Sequence, residues 1–221
     1  MNSSDRVKQH FDKDAVRFDA IYDASKPPHQ RLIDRFFRGV VVERFRLVCN
    51  LAPSRGDWSV LDVGCGSGRY GLALTREGAS RALGVDFSPR MIDLAQKAAI
   101  RLGLQDRCRF EVAEFLEHPV EGPFDLVLAM GYFDYLREPL PHLQKMVGLT
   151  RGLLVASFPK RWEWRVPSRR LRFLIGSGFV RFYSRSDVQR LVAGAGIPAE
   201  RASIVSYDRD WILISRVGGQ G

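Results

Sequence analysis

Asp62 and Asp86 are the residues of this sequence best placed to do chemistry. Asp62 lies in the apolar run Val60-Leu61-Asp62-Val63, which opens directly onto Gly64-Cys65-Gly66-Ser67-Gly68, with Gly71 three residues further on. Asp86 closes a second apolar run one β-α step later and is followed by Phe87-Ser88-Pro89-Arg90-Met91, which reads as a helix start. The glycines let backbone approach a ligand closely, and the helix after the loop presents N–H groups that lack intrahelical partners. The second acid stands where a ribose diol is gripped in a doubly wound α/β fold. An acid, a glycine loop and a second acid in this order specify a nucleoside-bearing cofactor.

Two cofactors compete for that description. Gly66, Gly68 and Gly71 satisfy G-x-G-x-x-G, a pattern too common to choose a dinucleotide by itself. Three features favour S-adenosylmethionine over nicotinamide. Asp62 precedes the first glycine, where a carboxylate reaches an ammonium group through water or backbone amides but repels a pyrophosphate. The second element reads D-x-S-P-x-M-I, which supplies apolar side chains to sandwich an adenine. No second nucleotide-binding half is visible.

From about Val60 to Met146 the chain closely resembles the class I S-adenosylmethionine-dependent methyltransferases. The resemblance implies that the glycine loop, at Asp62, Gly64, Cys65, Gly66 and Gly68, surrounds the methionine part of the cofactor, and that Asp86 binds both ribose hydroxyls. Phe87 and Met91 would flank the adenine, although plain core packing is the competing reading of both. Val112-Ala113-Glu114-Phe115 stands where relatives more often have Gly-Asp and an apolar residue, so Glu114 would accept from the adenine amino group with a longer arm and Phe115 beside it. The fourth strand, ending at Met130, would place its carboxyl end next to the sulfonium. Near the N-terminus, Phe11 to Asp19 resembles the helix that many small-molecule methyltransferases fold over the site as a lid, which would bring Tyr22 near the methyl donor. An amphipathic helix packed on the core is compatible with the same residues.

Methyl transfer from a sulfonium requires in-line alignment and dry surroundings, and alignment alone supplies much of the rate. A base is needed only if the acceptor must lose a proton. Tyr132, Asp134, Tyr135 and His142 are the candidates, the first three just beyond the fourth strand and His142 on the next helix. No Asn-Pro-Pro-Tyr or Asp-Pro-Pro-Tyr follows that strand, which argues against amino methylation of DNA bases. Cys49, Cys65 and Cys108 offer no pair for C5-pyrimidine chemistry, no C-x-x-C and no disulfide framework. They read as reduced thiols, Cys65 as a small packing residue. No clustered acid/His set suggests a metal.

Periodicity places these residues on a Rossmann-like α/β fold: a seven-stranded, mostly parallel sheet with helices on both faces and a C-terminal antiparallel hairpin. Strands are expected at 60–63, 82–86, 109–112, 126–130 and 153–158, with helices at 68–77, 89–102 and 140–147. A helix at 187–195, N-capped by Ser184 or Ser186, leads to a hairpin of 203–206 and 211–215 around Asp208-Arg209-Asp210. Residues 1–50 are expected to form a helical lid, including a helix over about 29–48, and residues 51–217 the cofactor-binding domain. A basic, aromatic insertion at 159–185 completes what reads as one domain of 221 residues. No stretch approaches the ~20 apolar residues of a membrane span, and the polar N-terminus lacks a signal-peptide core, so a cytoplasmic protein is expected.

The net charge of +9 is local. Lys160 to Arg190 holds nine basic residues against Glu163 and Asp187, and Trp162, Trp164, Phe173, Phe179, Phe182 and Tyr183 alternate with them. Directly after the fifth strand, this segment suits a wall of Arg161, Arg165, Arg169, Arg170, Trp162 and Trp164 against an acidic or amphiphilic small molecule, because arginine pairs bidentately with carboxylate or phosphate. An RNA backbone with bases stacked on the aromatics, an anionic membrane surface and a merely solvated basic face are the alternatives. Arg17-Phe18 with Ile21-Tyr22, Ser157-Phe158-Pro159-Lys160 and Phe182-Tyr183-Ser184 faintly resemble the magnesium-protoporphyrin O-methyltransferases, which esterify a propionate. Asp134-Tyr135 replaces the His-Tyr expected there. The sequence thus points to methylation of an oxygen or nitrogen on an acidic or amphiphilic small molecule, with RNA methylation or an inactive cofactor-binding module as alternatives.

Overall fold

A computed structural model of the protein describes residues 44–53, 57–161 and 180–218. Seven strands form one sheet: β1 Ser59–Val63, β2 Arg81–Asp86, β3 Cys108–Val112, β4 Phe124–Ala129, β5 Thr150–Pro159, β6 Ala202–Tyr207 and β7 Asp210–Arg216. Their spatial order is β3-β2-β1-β4-β5-β7-β6. The first five are mutually parallel, and β7 runs antiparallel between β5 and β6. Every residue of β1 is buried, as befits a central parallel strand covered on both faces.

Four helices follow their strands as the apolar periodicity requires: α1 Arg69–Arg76, α2 Pro89–Arg101, α3 Pro139–Gly148 and α4 Arg185–Gly194. Ser88 caps α2 by accepting the Met91 N–H at 3.3 Å, and Pro89 occupies the first turn, where its missing N–H costs nothing. Ser184, rather than Ser186, caps α4 through a reciprocal capping box with Asp187, so that helix starts two residues earlier than expected. A further helical stretch, 44–51, runs past the expected end at Val48.

Alternate residues of the central strands feed two cores. On one face Val63, Val127, Leu154 and Leu213 pack with Leu143 and Met146 of α3 and Val188 of α4. On the other, Val60, Leu126, Val155 and Ile212 pack with Val48, Leu72 of α1 and Ala95 of α2. Fully burying each of these large side chains contributes roughly 1.5–3 kcal/mol. Beyond β4 a 3-10 turn, Phe133–Tyr135, is pinned from below: the Phe133 ring stacks on Phe158 with centroids 4.5 Å apart, and the Tyr183 hydroxyl donates to the Phe133 carbonyl at 3.0 Å.

The expected mostly parallel sheet, antiparallel hairpin and two helical layers are all present. The strands differ mainly in length. β4 begins at Phe124, because Phe124 pairs with Thr150 across a register shift, and it ends at Ala129, one residue short of Met130. Tyr22, Trp162, Trp164, Arg165, Arg169 and Arg170 lie outside the described residues, as do most of the expected lid and insertion.

Candidate active site

The carboxyl ends of β1 and β2 are built as one unit. Gly64 and Cys65 donate their N–H groups to the Val85 carbonyl at 2.8 and 3.2 Å, drawing the glycine loop onto β2. The Gly66 N–H donates to Asp86 Oδ2 at 2.9 Å, and the Ser88 N–H to Asp86 Oδ1 at 2.9 Å. A carboxylate oxygen can accept more than one hydrogen bond, so an acid that fastens the loop is of a type that can also accept from a diol. Gly66 has φ +53, and a Cβ there would meet nothing within 4 Å among the described residues, which leave space above the loop.

Asp62 is 1% exposed, and its Oδ2 has no hydrogen-bond partner among the described residues. Burial pushes its carboxyl up to about 7; the Gly71 N–H opposes the shift and the nearby Asp86 charge adds to it. A buried acceptor of this kind is costly without a donor. The ammonium of S-adenosylmethionine supplies both a donor and a compensating charge, whereas a dinucleotide pyrophosphate supplies neither. The donor set therefore fits the methionine end of S-adenosylmethionine, with Asp86 at its ribose. Cys65 is buried with its sulfur beside Gly84, and burial together with the charges of Asp62 and Asp86 raises its thiol well above the usual range. It is a packing residue.

On the adenine side, Phe87 is half-buried and Met91 buried. Glu114 is exposed, immediately after Ala113, whose N–H donates to the Asp86 carbonyl at 3.0 Å. Phe115 is 2% exposed in the core, edge-on to the Tyr132 ring. Lys145 of α3 holds this turn by donating to the Phe115, Leu116 and His118 carbonyls at 2.7, 3.0 and 2.6 Å.

Beyond half-buried Met130 and Gly131, Tyr132 lies across the glycine loop: a Cβ on Gly64 would stand 2.7 Å from Tyr132 Cδ2. Its hydroxyl is 2.8 Å from His142 Nδ1. Burial, reinforced by the charges of Glu114 and Asp86, raises the phenol above its ordinary range, and burial with Lys145 lowers the imidazole. Both groups are therefore neutral near pH 7, the phenol able to donate to a bare Nδ1. Asp134 is 5% exposed in the 3-10 turn, and its backbone carbonyl accepts the Arg181 N–H at 2.8 Å. Tyr132 and His142 are thus brought together, while Asp134 faces a different neighbour.

That neighbour is Arg44, which sequence reasoning missed. Its Nε donates to Asp210 Oδ2 at 2.7 Å, its Nη2 to the same oxygen, and it feels the charge of Asp134. Asp210 is fully buried at the start of β7, in a tripeptide that reads in sequence as a simple turn. Arg161 is exposed past the end of β5, its N–H bonded to the Tyr183 carbonyl. Among the described residues no group of His, Cys, Asp and Glu could hold a metal ion.

Sheet order, glycine loop and paired acids define a class I S-adenosylmethionine-binding fold. The comparisons narrow it: a family model described as "Methyltransferase domain" matches residues 60–151. The magnesium-protoporphyrin O-methyltransferase of Rhodobacter capsulatus is 31% identical over 134 residues, 61% of this chain and 58% of that protein. A tRNA U34 carboxymethyltransferase of Photorhabdus laumondii is 35% identical over 103 residues, 46% of this chain and 31% of that protein. The solved magnesium protoporphyrin IX methyltransferase of Synechocystis with bound S-adenosylhomocysteine superposes with a TM-score of 0.73 at 20% identity, covering 97% of this chain and 98% of that one. The alignments span 31% to 58% of the length of the first curated relatives. Residues 60–151 are thus similar to a methyltransferase domain, on a fold shared with a solved magnesium protoporphyrin IX methyltransferase, and the donor set of the site fits S-adenosylmethionine as cofactor.

Proposed function

We propose that the protein transfers the methyl group of S-adenosylmethionine to an oxygen or nitrogen of an acidic or amphiphilic small molecule. The observations that carry the methyl-donor half are the buried Asp62 Oδ2, without a hydrogen-bond partner among the described residues, and the space those residues leave above Gly66. Bound there, the cofactor supplies an electrophilic methyl on a sulfonium. Asp62 takes its ammonium, Asp86 its ribose hydroxyls, and the loop N–H groups and Tyr132 ring fix its approach. A carboxylate acceptor needs no base. For a protonated acceptor, Asp134 and the Tyr132–His142 pair stand nearest the end of β4 as proton acceptors.

The acceptor class is supported by the charge around the same strand ends. Arg137, Lys160, Arg161, Arg181 and Arg209 belong to segments joined there by the Arg181 N–H to Asp134 carbonyl, Lys160 N–H to Arg209 carbonyl and Arg161 N–H to Tyr183 carbonyl bonds. Arg165, Arg169, Arg170, Trp162 and Trp164 extend this basic, aromatic character in sequence, and the lid proposed over residues 1–50, with Tyr22, would close the pocket. Relatives that modify tRNA favour RNA as the second reading of the basic rim. The free thiols of Cys49, Cys65 and Cys108 suit a cytoplasmic setting.

Calorimetric titration with S-adenosylmethionine, S-adenosylhomocysteine and NADH tests the cofactor. Micromolar binding of the first two alone is expected, and binding of NADH alone refutes the assignment. Transfer of labelled methyl is then followed on carboxylic metabolites and on tRNA. Turnover of tRNA alone, with affinity falling steeply with salt, would replace the small-molecule reading by the RNA one.

A further inference from the structure

We infer that Lys145 of α3 is a positioning residue for adenine recognition, its ammonium fastening the turn after β3 that carries Glu114. The inference rests on the proposed reading of the protein as an S-adenosylmethionine-dependent methyltransferase in which Glu114 accepts from the adenine amino group.

Glu114 is exposed, on a long side chain whose carboxylate can point only as well as the backbone beneath it is held. That backbone is fixed at its root, where the Ala113 N–H donates to the Asp86 carbonyl at 3.0 Å. The Glu114 carbonyl then accepts the N–H groups of Glu117 and His118 at 3.1 and 3.0 Å, winding the segment into a single helical turn. At its far end His118 Nε2 lies 2.5 Å from Glu111 Oε2 on β3. Such a turn leaves its last carbonyls without partners of its own. Lys145 gathers three of them: Nζ donates to the Phe115, Leu116 and His118 carbonyls at 2.7, 3.0 and 2.6 Å. An ammonium has three donors and no acceptor, so this one turn occupies its whole capacity. The same Nζ stands 4.9 Å from the centroid of the Phe115 ring, which is 2% exposed and anchors the turn in the core.

Two features make this a matter of ligand placement more than of folding. The Ala113 bond and the Phe115 packing do not depend on the ammonium, and the Leu116 contact is exposed while the other two are only partly buried. Water can therefore replace Lys145 at these carbonyls, at a cost in the order of the turn. Lys145 also comes from the helix that serves the other end of the proposed cofactor pocket. Three residues earlier on α3, His142 bonds the Tyr132 hydroxyl at 2.8 Å, and the Tyr132 ring covers Gly64. One helix thus braces the glycine loop through Tyr132 and the adenine-side turn through Lys145.

Calorimetry with S-adenosylhomocysteine, and with its analogue carrying hydrogen in place of the adenine amino group, isolates the contact at stake. Wild-type protein should prefer the amino compound about tenfold, the worth of one hydrogen bond to a charged acceptor. Glu114→Ala should bring that preference close to unity. Lys145→Met keeps the stem and removes the ammonium. It should erase most of the preference by weakening the amino compound alone, with the analogue bound within about twofold of wild type. In the Glu114→Ala background Lys145→Met should change neither affinity, because both residues act through one contact. Lys145→Gln, with two donors on a shorter stem, makes the same comparison if the Met variant does not fold, and should also narrow the preference. A folded Lys145 variant that keeps the wild-type preference, or weakens both ligands equally, overturns the inference. A wild-type protein without the preference, or a Glu114→Ala variant that retains it, overturns the adenine role of Glu114 and the inference with it. Failure of wild-type protein to bind S-adenosylhomocysteine at all would instead overturn the cofactor reading.

Discussion

Asp86 Oδ2 accepts the Gly66 N–H at 2.9 Å, so the acid at the end of β2 and the loop at the end of β1 hold each other in place. The group proposed to bind the ribose is therefore also a fastening of the loop proposed to surround the methionine end. Asp86→Ala is expected to weaken S-adenosylmethionine by about 2–3 kcal/mol, because it removes charged hydrogen bonds to the diol and loosens the loop together. Asp86→Asn keeps one acceptor oxygen and should lose less. Calorimetry on both variants checks this, and equal affinities for all three proteins would remove Asp86 from the site.

Asp62, as the proposed partner of the cofactor ammonium, is expected to make cofactor binding release a proton. Its folded-state carboxyl is raised to about 7 from the ordinary aspartate value of 3.8, so the group favours folding when protonated, and that contribution disappears as pH rises from about 4 through 7. An ammonium against Oδ2 reverses the preference. S-adenosylmethionine affinity should accordingly fall below pH 7, towards tenfold per pH unit. At pH 6, binding heats in phosphate and in Tris should differ by the ionisation enthalpy of nearly one proton. Asp62→Asn should abolish that difference and make the ligand-free protein more stable at pH 8.

Gly64→Ala combines two penalties. Its φ of +70 is strained for any side chain, and the new methyl would stand 2.7 Å from Tyr132 Cδ2. A destabilisation of about 2–3 kcal/mol is expected, of which the left-handed backbone accounts for roughly 1. Adding Tyr132→Ala should relieve the clash but not the backbone strain. A favourable coupling in a urea-unfolding double-mutant cycle would show the contact, and strict additivity would deny it.

At the opposite, amino end of the sheet, Asp125 accepts from Arg151 at 2.8 Å and from the Ser59 N–H and hydroxyl, each at 2.8 Å. The Arg151 hydrogen bond, with those from Ser59, overcomes partial burial and holds the carboxyl down at about 2. A depressed carboxyl stabilises the fold above its unfolded pKa near 4, and that stability drains away as pH falls through 2. Because Arg151 is half exposed, solvent screening leaves about 1–2 kcal/mol. Asp125→Asn should lower unfolding free energy at pH 6 by that amount and flatten its decline between pH 4 and 2.

Sequence periodicity carried the sheet because the parallel strands are apolar on both faces, and the acids were legible because each ends such a strand beside glycines. The Ser88 cap, too, was written in the Ser-Pro step. Contacts across the chain were not. Arg44 and Asp210 are 166 positions apart, one inside a helical run and the other in what reads as a turn, and neither residue type signals a partner. Tyr132 and His142 stood out singly as candidates, but their hydrogen bond depends on how α3 sits against the turn after β4. The packing of Tyr132 on Gly64 is likewise a product of the folded loop, since φ at Gly64 is set by the Val85 carbonyl it must reach.

The Tyr183 N–H donates to the Pro159 carbonyl at 2.8 Å, the Arg161 N–H to the Tyr183 carbonyl at 2.9 Å, and the Tyr183 hydroxyl to Phe133. The chain therefore leaves the sheet at exposed Arg161 and returns at Tyr183, which is sealed into the core, and the two points already touch each other. Lengthening what lies between such posts adds loop-closure entropy only logarithmically. A change of length between Arg161 and Tyr183 should therefore leave the two posts themselves in contact, because the bonds that hold them do not run through the stretch between.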